Sequence, residues 1–98
     1  MSARIPIDKS AIADFCRKWR VTELALFGSV LRDDFGPDSD VDVLVAFAGG
    51  RTPGLGFITM EDELSAMFGR KVDLLTRKSI SPFIRERVLA EAEVQFAA

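Results

Sequence analysis

The stretch that decides the fold is Phe27–Val45, FGSVLRDDFGPDSDVDVLV, in which an apolar run ends, passes through an acidic turn and becomes apolar again. Asp40 and Asp42 stand at alternate positions where the second apolar run begins. Aspartate is a poor strand former, and a carboxylate on a buried strand is costly unless a neighbouring group neutralises it. The pattern therefore predicts a cation beside these two aspartates.

A third aspartate interrupts another apolar run, KVDLLT at Lys71–Thr76, where Asp73 is placed in the same way. Because side chains alternate along a strand, Asp40 and Asp42 are expected on one face and the three valines at positions 41, 43 and 45 on the other, in the core. Carboxylates on neighbouring strands are the usual protein ligands of a two-metal phosphoryl-transfer site, and Mg²⁺ prefers such hard oxygen ligands. Asp40, Asp42 and Asp73 are therefore predicted to bind Mg²⁺.

The Gly28-Ser29 turn before the aspartates is suited to phosphate. Gly28 allows close backbone approach, and Ser29 is expected to begin a short helix whose free N–H groups favour an anion. Arg32 lies three residues further on, on the same helical side, where it could touch a phosphate or orient an aspartate. Taken singly, each feature has a simpler interpretation: a turn with a helix cap, a surface arginine and solvent-facing strand aspartates.

A calcium loop is a second metal interpretation, because Asp38, Asp40 and Asp42 reproduce its D-x-D-x-D opening. The sixth position requires glycine and the twelfth requires glutamate. Val43 and Gly49 occupy those positions here, so the calcium interpretation fails.

The remaining periodicity predicts an α/β fold in a single domain, residues 1–98, with a small mixed sheet of about three strands flanked by helices. The acidic run Glu61–Glu63 is expected to form a solvated first turn of the second helix. The predicted elements are a helix over residues 9–19 capped by Asp8 or Ser10, strands Val21–Phe27, Val41–Phe47 and Lys71–Thr76, a glycine-rich loop Ala48–Gly56, a helix Phe57–Gly69 ending at Gly69, and a last helix Ser81–Phe96 with Ser81 as N-cap and Pro82 in its first turn.

Composition narrows the classes of function. The chain has 98 residues, 48% of them hydrophobic, and a net charge of -2, which gives no general attraction to nucleic acid or to an anionic membrane. One cysteine and no histidine exclude an internal disulfide and a Cys/His metal site. No apolar run is long enough to span a membrane. We expect a cytoplasmic protein without direct nucleic-acid binding.

GSVLRDDFGPDSDVDVLVAF resembles the G-S-x-x-R-x6-S-D-x-D signature of the minimal nucleotidyltransferases, small members of the DNA polymerase β-like superfamily. ELSAMFGRKVDLLT is similar to the segment in which that family presents its third carboxylate, and SPFIRERVLAEA is similar to its last helix. The resemblance implies a nucleotidyltransferase fold. It also implies a role for each matching residue: Gly28, Ser29, Arg32 and Ser39 in nucleotide binding, and Asp40, Asp42 and Asp73 as catalytic metal ligands, with Asp73 also helping to deprotonate the attacking hydroxyl.

The function that the resemblance implies is Mg²⁺-dependent transfer of AMP from ATP to a hydroxyl of a partner protein. Members of the family act as antitoxins of HEPN-domain ribonucleases, so a HEPN partner is implied. The sequence leaves the oligomeric state open between a homo-oligomer and a hetero-oligomer. An interaction module that neutralises its partner by binding alone is one alternative. A small-molecule nucleotidyltransferase is another, which the lack of an added helical acceptor domain disfavours. The chain has no tyrosine, so a tyrosine acceptor would have to belong to another protein.

Overall fold

The computed structural model describes residues 7–31, 36, 39–50 and 53–98, apart from the side chain of Ser29. Three helices and four strands lie within these residues. In chain order the elements are α1 Lys9–Trp19, β1 Val21–Phe27, a 3₁₀ turn Gly28–Leu31, β2 Val41–Phe47, a 3₁₀ turn Ala48–Gly50, α2 Gly56–Phe68, β3 Val72–Leu75, a 3₁₀ turn Arg77–Ser79, α3 Arg85–Glu91 and β4 Glu93–Ala97.

The strands form one mixed sheet in the order β3-β2-β1-β4. Strands β2 and β3 are parallel, whereas β1 is antiparallel to both β2 and β4. The predicted α/β class and the three predicted strands are therefore confirmed. The end of β1 and the starts of β2 and β3 lie together at one end of the sheet. The three aspartates occur at this end.

Strand β4 was not predicted from the sequence, whose pattern indicates a last helix that continues to Phe96. The helix ends at Glu91, and Ala92 is extended, so that Glu93–Ala97 can pair with β1. Without this pairing, one side of β1 would expose its backbone N–H and C=O groups along the sheet edge. Pairing also lets Phe96 pack against the core. These long-range contacts override a helical preference that is weak over so few residues.

The predicted start of the last helix is also wrong. Ser81 and Pro82 precede α3, which begins at Arg85. The Ser81 carbonyl accepts hydrogen bonds from the N–H groups of Ile84 and Arg85, at 3.1 and 2.9 Å, and so closes a turn before the helix. Ile80 is buried against the sheet, which anchors the preceding chain and shifts the start of the helix toward the C-terminus.

The two faces of the sheet are covered by different helices. The valines of β2 lie in the main core with α1 and α2, as the alternation predicts. The opposite face, which carries Asp42 and Asp73, is covered by Ile80 and by Val88 and Leu89 of α3. Of the helices in the described part of the chain, none has both the length and the apolarity that a bilayer crossing requires.

Local capping agrees with the sequence at two sites. The Asp8 carboxylate accepts a hydrogen bond from the Ala11 N–H at 3.0 Å and so caps α1, and Gly69 ends α2 in the left-handed conformation with φ 68°. The interpretation of Glu61–Glu63 as a solvated first turn is wrong, because α2 begins at Gly56. Glu61 Oε2 instead accepts a hydrogen bond from the Leu74 N–H at 2.9 Å, on the free side of edge strand β3.

Candidate active site

The strand register brings two of the predicted carboxylates together. Asp42 pairs with Asp73 across the parallel strands β2 and β3, and with Phe27, the last residue of β1, on its other side. Directly paired residues of neighbouring strands point to the same face, and adjacent strands lie ~4.8 Å apart. Both aspartate side chains are partly exposed at this position. At this end of the sheet, Asp42 and Asp73 therefore form a pair of neighbouring, partly exposed carboxylates.

Gly28 packs directly against one carboxylate of this pair. It follows β1 immediately and begins the 3₁₀ turn with φ 78°, a backbone conformation that favours glycine. A Cβ atom added to Gly28 would overlap Asp42 Oδ2 and would lie 3.3 Å from Asp42 Cγ. Because Gly28 has no side chain, the Asp42 carboxylate can occupy this space. The predicted turn and the predicted aspartate are in contact.

Asp40 lies immediately before β2, where the Val41 N–H donates to the Lys71 carbonyl at 2.9 Å. Its Oδ2 is 3.9 Å from the Lys71 Nζ, and the Asp40 side chain is 39% exposed. An ion pair this long and this exposed contributes little to stability. The Asp40 carboxylate can therefore give up its contact with Lys71 and bind a divalent cation instead.

The other residues predicted to bind nucleotide are described in part. Ser39 Oγ accepts a hydrogen bond from the Gly36 N–H at 3.0 Å, so this hydroxyl closes the turn before Asp40. Arg32 and the side chain of Ser29 lie outside the described residues. The roles that the sequence predicts for Ser29, Arg32 and Ser39 remain predictions.

The carboxylates do not form a ready-made metal cage. Within the described ranges of the chain, no group of three or more acidic or sulfur side chains is arranged to hold a metal ion. Mg²⁺ differs in this respect from structural Zn²⁺, because it usually retains several waters and binds through one or two carboxylates together with substrate phosphates. The Asp42–Asp73 pair has the oxygen donors and the exposure that such a shared site requires. The predicted metal roles of the three aspartates remain predictions.

Two basic residues beside the site were not singled out by the sequence analysis. Lys71 lies next to Asp40, and the Arg70 guanidinium donates from Nη1 to the Gly36 carbonyl oxygen at 2.8 Å. Both precede β3 directly, in the Arg70-Lys71-Val72-Asp73 sequence. A basic pair two and three residues before a functional aspartate is a signal that could have identified them.

The nucleotidyltransferase-domain family model matches residues 9–94, almost the whole described chain. The chain belongs to this nucleotidyltransferase family. A Methanocaldococcus jannaschii relative, named as a protein adenylyltransferase, is 36% identical over 84 residues, covering 86% of this chain and 89% of that protein. The protein adenylyltransferase MntA of Thermococcus cleftensis is 40% identical over 75 residues, covering 76% of this chain and 74% of that protein. The chain is thus an enzyme of the nucleotidyltransferase class.

Solved structures show the same fold for this nucleotidyltransferase. A structure described as a minimal nucleotidyltransferase is 36% identical, has a TM-score of 0.70, and is matched over 86% of this chain and 85% of that one. A Shewanella oneidensis MNT antitoxin in complex with a tri-AMPylated HEPN toxin has a TM-score of 0.67 at 20% identity, over 92% of this chain and 70% of that one. The second likeness concerns the fold alone. Together with the sequence relatives, these structures confirm the predicted fold and the predicted minimal nucleotidyltransferase family.

Proposed function

We propose that the chain transfers AMP from ATP to a hydroxyl of a HEPN-type partner protein, in a Mg²⁺-dependent reaction, and that it acts as the partner's antitoxin in the cytoplasm. The observation that carries the proposal is the pairing of Asp42 with Asp73 beside the Gly28 turn. The Asp42–Asp73 pair supplies carboxylates for a cation, and the Gly28 turn supplies backbone N–H groups for phosphate, at the same end of the sheet. The named adenylyltransferase relatives support AMP as the transferred group.

The donor atoms at this end of the sheet suit Mg²⁺. Asp42 and Asp73 offer carboxylate oxygens from neighbouring strands, and Asp40 precedes Asp42 by two residues, immediately before β2. These three residues would hold the ion together with the phosphates of ATP. When bound, Mg²⁺ offsets the negative charge that develops on the transferring phosphoryl group and on the leaving pyrophosphate.

The residues of the chain position the reactants. The 3₁₀ turn that Gly28 begins is proposed to receive the ATP phosphates on its backbone N–H groups. Asp73 is proposed to accept the proton of the acceptor hydroxyl. The acceptor oxygen then forms a bond to the α-phosphorus, the bond from that phosphorus to the bridging oxygen breaks, and pyrophosphate leaves. The hydroxyl proton thus passes to Asp73, the AMP group to the acceptor oxygen, and pyrophosphate is released.

A protein acceptor is proposed because the named relatives are protein adenylyltransferases. In the Shewanella oneidensis complex, the MNT antitoxin is bound to a HEPN toxin that carries three AMP groups. The present chain contains no tyrosine, so an AMP group on tyrosine would have to be on the partner. Holding two reactants together can supply about 7–11 kcal/mol of a reaction barrier. The isolated chain should therefore label a generic hydroxyl compound slowly, and the partner should accelerate labelling.

The test uses ATP labelled at the α-phosphate, the purified chain and a purified HEPN-domain protein. The label should appear on the HEPN protein in the presence of Mg²⁺ and disappear with a chelator. Asp42→Asn and Asp73→Asn should each abolish labelling, because asparagine keeps the shape of the side chain and removes its charge. Calorimetry should show ATP binding that weakens sharply without Mg²⁺.

Growth rescue separates catalysis from contact. Cells producing the HEPN protein should be rescued by the wild-type chain and not by a variant with alanine at Asp40, Asp42 and Asp73. If that triple variant still binds the HEPN protein and rescues growth fully, neutralisation occurs by contact alone. Transfer of label to a small hydroxyl compound at the same rate with and without the partner would instead favour a small-molecule nucleotidyltransferase.

A further inference from the structure

Arg70 connects the starts of the two strands that carry the aspartates. It follows Gly69, the C-cap residue of α2, and precedes β3. Its Nη1 donates to the Gly36 carbonyl oxygen at 2.8 Å across 34 residues of sequence, and the side chain is half-buried. One guanidinium therefore joins the entry to β3 with the turn that precedes β2.

The turn that Arg70 contacts leads straight to Asp40. The Gly36 carbonyl also accepts a hydrogen bond from the Ser39 N–H at 3.1 Å, and the Gly36 N–H donates to Ser39 Oγ at 3.0 Å. Both backbone polar groups of Gly36, its N–H and its carbonyl oxygen, are thus hydrogen-bonded to Ser39. Asp40 follows directly, and its neighbour Val41 begins β2. A shift of Gly36 would be transmitted through this closed turn to the Asp40 carboxylate.

The hydrogen bonds between β2 and β3 do not by themselves fix the position of Asp40. The Val41 N–H bonds to the Lys71 carbonyl at 2.9 Å, which fixes the register of β2 against β3. Asp40 lies one residue outside that pairing, at the point where the strand emerges from the turn. A charged guanidinium N–H donates a shorter and stronger hydrogen bond than a neutral donor does, and the Arg70 Nη1 lies 2.8 Å from the Gly36 carbonyl oxygen. Arg70 supplies that restraint where the sheet hydrogen bonds end.

We propose that Arg70 is a positioning residue for the metal–nucleotide site, which fixes Asp40 relative to Asp73 by holding the Gly36–Ser39 turn against the start of β3. This inference rests on the proposed function, because it assigns Arg70 to the site that the aspartates form. Arg70 acts through the turn and is not required to touch ATP. Removing residues that orient metal ligands typically weakens metal affinity or activity about 10- to 100-fold.

The test compares Arg70→Met and Arg70→Gln, which lack the guanidinium, with Arg70→Lys, which keeps one charged donor. The probe is Mn²⁺ with α,β-methylene-ATP, in which a carbon replaces the bridging oxygen whose bond AMP transfer breaks, and bound Mn²⁺ is measured by electron paramagnetic resonance. Arg70→Met and Arg70→Gln should weaken Mn²⁺ binding about 10-fold or more and reduce the rate of AMP transfer at saturating ATP. Arg70→Lys should recover part of both.

Hydrogen exchange supplies a readout that is independent of activity. The Ser39 amide should exchange faster in Arg70→Met, because its acceptor at Gly36 is no longer held. The Leu74 amide, bonded to Glu61 at 2.9 Å, is the internal reference and should be unchanged. Arg77→Met is the matched control, since Arg77 lies beyond the other end of β3 and makes an exposed contact of 3.5 Å with Glu23. That variant should retain wild-type Mn²⁺ binding.

Each outcome decides the proposal. Folded Arg70→Met with wild-type Mn²⁺ affinity, transfer rate and Ser39 exchange would overturn it. Global unfolding of both Arg70→Met and Arg70→Gln would also overturn it, because Arg70 would then maintain the whole fold. If the wild-type chain itself fails to bind Mn²⁺ with α,β-methylene-ATP, the proposed function fails, which is distinguishable from failure of the Arg70 assignment alone.

Discussion

Replacing Gly28 with alanine should abolish metal-dependent ATP binding while leaving most of the fold in place. The new Cβ would overlap Asp42 Oδ2, at the point where the turn after β1 meets the start of β2. Two responses are open to the protein. The Asp42 side chain can rotate away, or the turn can move outward. Either response separates the turn from the carboxylate, so the nucleotide site is disrupted in both cases.

The expected loss of stability has two parts. A non-glycine residue in the left-handed conformation costs ~1–2 kcal/mol, and Gly28 has φ 78°. Steric overlap in a packed site adds ~1–3 kcal/mol. Gly49 provides a matched control at the other end of β2, because it has φ 69° and no atom within 4 Å of an added Cβ. Gly49→Ala should therefore carry only the backbone cost, ~1–2 kcal/mol.

Urea unfolding monitored by the fluorescence of Trp19, the sole tryptophan, would give both free energies of unfolding. Calorimetry with ATP and Mg²⁺ would measure binding by the same two variants. Gly28→Ala should be the less stable variant and should bind ATP far more weakly than Gly49→Ala. If both variants bound ATP and Mg²⁺ equally well, the contact between Gly28 and Asp42 would be irrelevant to the site.

Three further predictions concern other parts of the chain. Ser29→Ala should weaken ATP binding, whereas Asp42→Asn should mainly remove AMP transfer, and equal effects of the two on binding and turnover would contradict the separate roles. A hydrogen bond from Lys18 lowers the pKa of Glu63 below its usual 4.5, so the ionised form contributes stability above that pH and loses it as the pH falls through the lowered pKa. Glu63→Gln should therefore cost ~0.2–1 kcal/mol at pH 7 and nothing at a pH well below 4.5, as measured by urea unfolding at both values. Burial raises the pKa of the Cys16 thiol to about 12, so a thiol reagent should modify Cys16 only when the core opens, and ATP with Mg²⁺ should slow the modification. Modification as fast as that of a free thiol would contradict the buried position.

The sequence alone determined the elements whose signals are local. Residues 9–19 show helical periodicity, Gly69 ends the second helix, and the strands around Asp42 and Asp73 are short apolar runs between turns, all as observed. Alternation along β2 placed its valines in the core, because neighbouring side chains of a strand must point to opposite faces. The Gly28 turn and the aspartate spacing were sufficient to indicate the family. These features depend on residues only a few positions apart.

The end of the chain was decided by tertiary structure. Glu93–Ala97 looks like the continuation of a helix, yet it forms β4 because the open side of β1 offers backbone partners about seventy residues earlier in the sequence. Helical preference over so short a segment amounts to tenths of a kcal/mol per residue, which backbone pairing and the burial of Phe96 outweigh. No local pattern reports the presence of that open strand.

The candidate site has the same division. Sequence spacing identified Asp40, Asp42 and Asp73, but the pairing of Asp42 with Asp73 depends on the register between β2 and β3. The Arg70 contact with Gly36 spans 34 residues and becomes apparent only when both strand entries are side by side. Residue type therefore determined which chemistry the chain can support. Strand register and long-range hydrogen bonds decided which of those groups meet, because the three-dimensional path of the chain sets distances that sequence separation does not.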